Sequence, residues 1–560
     1  MKNFFTKNWL LIFTIILAAI LRLTYLQQIP VGFNDDEAAF GYNAYSISKT
    51  ARDEWGTLMP FPAFESFGDW KLVGYLYLVV PFIYAFGLTE FATRFPSAII
   101  GILAVFTTYL LAKEIFNKKT AIIASLLLAI SPWHIAASRN AFESDILIFF
   151  NTLFIFFFYK SLNNFKYFKF FILTATITFY IYRSAWVFTP LLVFCLFLIF
   201  ENNFKKYRKE VLKYFIISFV LLIPIILSAF SFRGQSRFIQ ESFIYGVQNS
   251  GISQSLNERL GFCSQRYSRV ICRVVYNKPT FFISQFTQNY IENLSPNLYF
   301  INGTSGYQGF APRGFLYFFE LPLALAGLIY LLKKWSNTTK VILAWLLIVP
   351  LAPSLTSVGN PGRLNILLPL PQILASVGVI FLYSSVRQKA LRQAFLLVVT
   401  AIILISFVRF IMDISTIYPI FTARSQRYGY KDVFNYAYSQ KNNYEQIAIS
   451  RKTDDAKQYI HFLMYTKYDP STYHQKQIHT KDNQGWQNVQ AIGKFHFYGS
   501  TPAIEELPLN SLLIVGEKEV DYPQAALKYY INDLRGDRLF EVYDMNVVNK
   551  IITDQNRNIN

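Results

Sequence analysis

Long apolar runs constrain this chain before any motif does. Near-uncharged stretches recur at Trp9–Leu26 and then near 94–112, 120–137, 142–159, 167–182, 186–200, 212–231, 314–332, 340–358, 364–383 and 394–412. A helix needs about 20 apolar residues to cross the hydrocarbon of a bilayer, and runs of nearly that length repeat along the chain. The 560 residues are 53% hydrophobic and 18% aromatic, with only 16% charged. No soluble domain needs so much apolar surface, so the fold class is a polytopic α-helical membrane protein. The net charge of +19 would suggest nucleic acid in a soluble chain. Here the Lys and Arg lie mostly in short loops between apolar runs, where they set topology. The bilayer is a partner and nucleic acid is not.

The first run is long for a signal peptide and no small-residue cleavage site follows it, so it reads as a retained helix. The run Leu72–Leu88 is ambiguous. If it does not cross, the inside loops are the N-terminus, 113–119, 160–169, 201–213, 333–340 and 384–392, each with at least two Lys or Arg, such as Lys205, Lys206, Arg208 and Lys209. If it crossed, all that charge would lie outside. The expectation is therefore about 11 crossings, with 72–88 lying along the outer face. That topology places outside the 27–93 loop, the 131–145 corner, the 232–313 loop, the 357–363 corner and everything after about 413. Every polar cluster then faces one side, as a single extracytoplasmic site requires.

The first cluster, Pro30–Tyr45, contains three consecutive acids, Asp35, Asp36 and Glu37. Read plainly, Asn34 or Asp35 caps a helix and the acids fill its first turn. Adjacent carboxylates near lipid are nonetheless costly unless cations or donors answer them. The second cluster, 131–145, holds Arg139, Glu143 and Asp145 at the outer end of a span. Arg139 and Glu143 have the spacing to pair on one helix face, whereas Glu143 and Asp145 point about 200° apart, so one acid faces a cavity. The plain alternative is an interfacial salt bridge with Trp133 as a belt anchor and His134 at the interface. The third cluster, Gly359–Asn365, places Arg363 where a lipid phosphate would lie, and an Arg fork suits phosphate; an interfacial anchor is the competing reading.

The 232–313 loop is basic, with Arg233, Arg237, Arg259, Arg266, Arg269, Arg273, Lys278 and Arg313. It also carries Cys263 and Cys272, a plausible disulfide on an oxidising side. Cys195 lies in a span, and no Cys or His spacing suits zinc. From about 425 the apolar runs shorten and polar residues rise. Helices at 430–440, 454–467 and 523–535 and strands at 444–450, 493–499, 511–516 and 538–545 are expected, an alternation that suggests one extracytoplasmic α/β domain over 425–560. Neither nucleotide fingerprint occurs there.

An Asp-Glu pair just after a first span resembles the signature of the C-type (GT-C) integral-membrane glycosyltransferases. The nearest branch is the bacterial relatives of protein O-mannosyltransferases and of the aminoarabinose transferase that modifies lipid A. Further matching stretches are Gly41-Tyr42-Asn43-Ala44-Tyr45, Asp69-Trp70-Lys71, Phe86-Gly87-Leu88 before Arg94-Phe95-Pro96-Ser97-Ala98, and Ser131-Pro132-Trp133-His134 leading to Ser138-Arg139 and Glu143. The likeness covers roughly residues 8–200 well and the remainder in general pattern. It implies a GT-C catalytic domain over 1–424 that moves a sugar from a polyprenyl-phosphate donor to a protein hydroxyl, glycolipid or cell-wall polymer outside the cytoplasmic membrane, with inversion.

On this resemblance Asp36 matches the catalytic Asp, with Glu37 beside it. Glu143 matches the second acid, with Asp145 as competitor. Arg139, Arg363, Lys71 and Tyr42 are the candidate contacts to lipid phosphate and sugar. The physics agrees, since a carboxylate base takes the acceptor proton while cations stabilise the departing phosphate. Two departures concern donor details: Lys71-Leu72-Val73 stands where many relatives have Lys-Pro-Pro, and the corner before Arg363 lacks a His. A carboxylate pair could hold a divalent cation, though nothing in the sequence demands a cofactor. The main rival is a transporter or flippase of lipid-linked saccharides, which should carry midplane charges and paired halves; the mid-spans here are nearly uncharged and asymmetric. A membrane-anchored binding protein, the third reading, would leave the loop acids idle.

Overall fold

The structure, a computed structural model, describes residues 2–230, 250–304, 313–450, 457–482 and 486–559; Arg233 and Arg237 fall outside them. Two compact units emerge. One comprises Met1–Thr24 and Ser97–Met412, the other Tyr25–Pro96 and Asp413–Asn560. The first outer loop thus shares a unit with the tail that the sequence presents as a domain of its own.

Among the described residues, five helices are long and apolar enough to cross a membrane: Glu90–Ile115, Glu143–Asn163, Glu201–Phe230, Asn337–Ser354 and Lys389–Thr422. The number rises to seven if two bent pairs each count as one span. The 11 crossings expected from the apolar runs are therefore not confirmed. Proline accounts for part of the difference. The 120–137 run breaks between Lys118–Ile130 and Pro132–Arg139 with a 58° bend, because Pro132 has no N–H and holds Ser131 extended at ψ 124. The 72–88 run folds as Val73–Phe86, 14 residues, which at about 1.5 Å per residue falls short of a roughly 30 Å hydrocarbon layer.

Within the first unit, the helices Glu320–Lys333 and Leu370–Ser385 touch backbone to backbone at Gly327 and Gly378. A Cβ on Gly378 would stand 1.9 Å from the Leu323 carbonyl oxygen, and one on Gly327 would stand 2.0 Å from that of Leu374. Small residues allow such approaches between apolar helices. Gly378→Ala is expected to destabilise the protein by at least about 1–3 kcal/mol, since backbone cannot move aside as a side chain can. Thermal unfolding in detergent checks this against Gly261→Ala, where the added carbon meets nothing within 4 Å. Also in this unit, Cys263 and Cys272 are joined by a disulfide.

The second unit begins with the helix Asp35–Thr50, the hairpin β1 (Ala63–Ser66) and β2 (Asp69–Leu72), and the helix Val73–Phe86. Phe67 and Gly68 turn the hairpin at positive φ. The tail forms a seven-stranded sheet from β3 (Gln446–Ser450), β4 (Gln477–Lys481), β5 (Gln487–Ile492), β6 (Phe495–Tyr498), β7 (Ser511–Gly516), β8 (Leu527–Asn532) and β9 (Arg538–Asp544), in the order β4-β5-β6-β3-β7-β9-β8. The central β3 pairs parallel with β6 and β7. It is buried along its length, as a parallel centre covered on both faces must be. Ala448, Leu513, Val515, Met545 and Val548 build one side of that core.

One expected helix is wrong. The 523–535 segment is a short 3₁₀ turn followed by β8, which pairs antiparallel with β9. Tyr529, Tyr530 and Ile531 favour a pleated surface, and Asp533 and Gly536 form the turn that returns the chain. The strands β4 and β5 and the helices Pro470–Lys476 and Met545–Ile559 were not anticipated.

Candidate active site

In the second unit, the three acids of the first loop share one helical turn but not one fate. Asn34 caps the helix: its side chain accepts from the Glu37 N–H at 3.1 Å while the Glu37 carboxylate accepts from the Asn34 N–H at 3.2 Å. This capping box suits the positive end of the helix dipole. Glu37 is fully buried and gripped by Arg94, whose Nε and Nη2 donate to its two oxygens at 2.8 and 2.9 Å. The same guanidinium donates to the carbonyls of Leu26, Pro30 and Gly32. Glu37 and Arg94 therefore pin the entry of the loop.

Asp35 is also committed. Arg427 makes a two-pronged contact with it at 2.8 and 2.9 Å, His461 Nε2 lies 2.9 Å from Oδ1, and Lys457 is 3.7 Å away. Burial alone would raise its pKa, but the hydrogen bonds from His461 and Arg427 outweigh this and hold the carboxyl well below the usual range. Asp36 differs from both neighbours. The difference lies in its partner: with a side chain 19% exposed, against 17% for Asp35 and 0% for Glu37, it meets the ammonium of Lys71 among the described residues rather than an arginine. Lys71 is itself fully buried and also donates to Asp69 at 2.9 Å. A buried cation thus faces the least constrained acid of the three. Tyr42, by contrast, is buried, and its hydroxyl donates to the Tyr468 carbonyl at 3.1 Å, so it presents no surface to a substrate.

A fourth acid of this loop escaped the sequence reading. Glu54 is fully buried beside Ser66 and Asn43, and burial pushes its carboxyl up to about 8. Between its ordinary value of 4.5 and about 8 the unfolded chain is ionised there while the folded protein keeps the proton. Stability should therefore fall as pH rises through that window, by up to about 1.4 kcal/mol per unit. Thermal unfolding at pH 5 and pH 8 is expected to show this loss in the wild type and a flatter profile in Glu54→Gln.

In the first unit, Arg22 is buried, and it donates to the carbonyls of Ala18, Ala129 and Leu128 and meets His134 Nδ1 at 2.6 Å. Two of these carbonyls, Leu128 and Ala129, lie just before the bend at Pro132, and His134 is buried there. Arg139 does not share a helix with Glu143: Pro132–Arg139 ends, Asn140 is extended, and Glu143 opens the next helix. The Arg139 guanidinium donates to the carbonyls of Leu21 and Thr24, both at 2.9 Å, and so caps the end of Lys2–Leu23. Glu143 and Asp145 are both buried. Asn365 donates to Asp145 at 2.7 Å and to Ser144 at 3.1 Å, joining the second and third sequence clusters. Arg363 is half-buried and donates to the hydroxyls of Thr356 and Ser357.

Among the described residues no group of three or more His, Cys, Asp or Glu converges on a metal position. Arg94, Arg427 and His461 were missed as partners of the acids. Arg94 lay within a recognised stretch and would have been found by asking what neutralises Glu37. Nothing local marks Arg427 or His461.

The fold of this chain is shared with solved structures of an archaeal oligosaccharyltransferase and of ArnT. The model of the family described as dolichyl-phosphate-mannose-protein mannosyltransferase matches residues 73–228 of this chain. No curated protein matches the sequence. Among solved structures, the oligosaccharyltransferase of Archaeoglobus fulgidus, tethered to an acceptor peptide, aligns with TM-score 0.52 and 15% identity over 83% of this chain and 63% of that one. ArnT of Cupriavidus metallidurans in the apo state aligns with TM-score 0.52 and 11% identity over 96% of this chain and 98% of that one. ArnT bound to undecaprenyl phosphate gives TM-score 0.50. At these identities the likeness concerns the fold, and this chain spans 63% of the archaeal enzyme's length.

Proposed function

We propose that this protein is a glycosyltransferase that moves a sugar from a polyprenyl-phosphate donor to an acceptor on the outer face of the cytoplasmic membrane, with inversion at the anomeric carbon. The observation that carries the reading is the division of labour among the three acids. Two are paired with arginines, whereas Asp36 is paired with the buried ammonium of Lys71. In this reading Asp36 accepts the proton of the acceptor group as its oxygen or nitrogen attacks the sugar, and the bond to the lipid phosphate breaks. Lys71 pairs with Asp36 and supplies positive charge to the reaction. Arg363, held by two hydroxyls, is our assignment for a lipid phosphate, and Glu143 or Asp145 is the second acid. Two of the solved relatives bind such lipids: ArnT with undecaprenyl phosphate and the archaeal enzyme with a dolichol-phosphate.

The test is a panel of polyprenyl-phosphate sugars offered to the purified protein with peptide, glycolipid and polysaccharide acceptors. Release of polyprenyl phosphate with formation of the opposite anomer, read by NMR, supports the assignment. Scrambling of the lipid across liposomes with no cleavage of any donor would instead select the flippase reading.

A further inference from the structure

Where the last apolar helix, Lys389–Thr422, ends, the chain turns into the tail and encloses a cavity of about 360 Å³. Arg424, Arg427 and Arg538 line it, together with Tyr428, Tyr430 and Glu517. Three guanidinium groups meet one carboxylate, and the ammonium of Lys518 already engages that carboxylate at 2.8 Å. Arg427 carries Asp35, whose charge Lys457 also shares. Arg538 stacks 3.6 Å over the Tyr530 ring and its Nε lies 3.8 Å from the Glu541 carboxylate, while its Nη1 is buried with no acceptor among the described residues. Arg424 is exposed and makes no ion pair among the described residues. The cavity is therefore lined by more positive than negative charge and walled by aromatic rings. Arginine forks in that setting match the planar oxygen pairs of a phosphate.

The surroundings indicate where such a phosphate would come from. Phe421, on the last turn of the apolar helix, is 56% exposed, and Arg535 lies 5.8 Å over its ring. Tyr530 and Leu534, on β8 and the turn after it, are exposed as well. Exposed aromatic residues interleaved with arginines at the end of a lipid-facing helix are the pattern of a membrane interface. We propose that this cavity binds a phosphate group, presented by the headgroup of an anionic lipid in the leaflet where the helix ends. Neither Asp36 nor Lys71 lines this cavity, although Arg427 also holds the adjacent Asp35, and the proposal does not depend on the transferase reading.

The experiment uses the full chain in a phosphate-free maltoside detergent, with native mass spectrometry for bound lipid and thermal unfolding for free ions. Phosphatidylglycerol, diacylglycerol and inorganic phosphate (against chloride at equal ionic strength) are compared on the wild type, Arg424→Gln and Arg424→Gln/Arg538→Gln. The wild type should bind phosphatidylglycerol roughly tenfold more tightly than the double variant, as expected for lost charge-assisted hydrogen bonds. Diacylglycerol should not distinguish them. If inorganic phosphate raises the unfolding temperature of the wild type alone and phosphatidylglycerol adds nothing, the phosphate chemistry stands and the lipid source is overturned. If all three proteins bind phosphatidylglycerol equally and phosphate shifts none of them, the site itself is overturned. Should the double variant fold poorly, Arg424→Gln, which removes an exposed side chain, carries the comparison.

Discussion

Asp36→Asn is expected to lower kcat for sugar transfer by about 10²–10⁴-fold, the usual contribution of a positioned general base. Affinity for the donor lipid and thermal stability should change little. The change is isosteric, it leaves Asn34 and Glu37 to cap the helix, and Lys71 keeps Asp69 as a partner. The neighbouring acids supply the contrast. Asp35→Asn weakens the grip of Arg427 and His461, and Glu37→Gln leaves the buried Arg94 charge uncompensated. Both should therefore reduce stability along with activity. Measuring kcat, donor affinity and unfolding temperature for the three variants separates a reacting carboxylate from structural ones. A folded Asp36→Asn protein that retains more than about a tenth of wild-type kcat would remove Asp36 from the role of base, because too little catalysis would then depend on its charge.

What the sequence revealed and what it concealed divide along the range of the forces involved. Asn34 followed three residues later by Glu37 is a local pattern, and the helix starts there. The helix 430–440 and the apolar strands near 444–450 and 511–516 were likewise legible, since each is written in consecutive residues. The count of 11 crossings is not confirmed, because an apolar run does not reveal whether a proline or a short turn will bend it, as at Ser131–Pro132 and before Leu370. Arg139 was expected to meet Glu143 on one helix. In the structure it answers the free carbonyls of a helix more than a hundred residues earlier. The partners of Asp35 lie 392 and 426 residues away, beyond any periodicity. Tyr42 belonged to a recognisable stretch, yet Tyr468 and Tyr473 enclose it. A matching motif thus identified its neighbourhood without indicating which way the side chain faces.

The second large effect is structural, and it falls on Arg94. Arg94→Met is expected to destabilise the protein by about 3–5 kcal/mol, the cost of leaving one partner of a buried ion pair uncompensated. Glu37 would remain at zero exposure without its cation. The carbonyls of Leu26, Pro30 and Gly32 would lose their donor as well, adding part of the roughly 1–3 kcal/mol that an unsatisfied buried polar group costs. Arg94→Lys should recover little, because a point charge cannot reach a carboxylate and three carbonyls as a planar fork does. The double variant Arg94→Met/Glu37→Gln should recover a substantial part of the loss, since it removes the orphaned charge while a Gln oxygen can still accept from the Asn34 N–H. Unfolding temperatures of the four proteins, with proteolysis of the 27–93 loop as a local readout, complete the cycle. Equal stability of Arg94→Met and the wild type would mean that the clamp does not hold this loop. Strict additivity of the two substitutions would mean that Glu37 and Arg94 do not act as a pair, and the assignment of Glu37 to structure and Asp36 to chemistry would lose its physical basis.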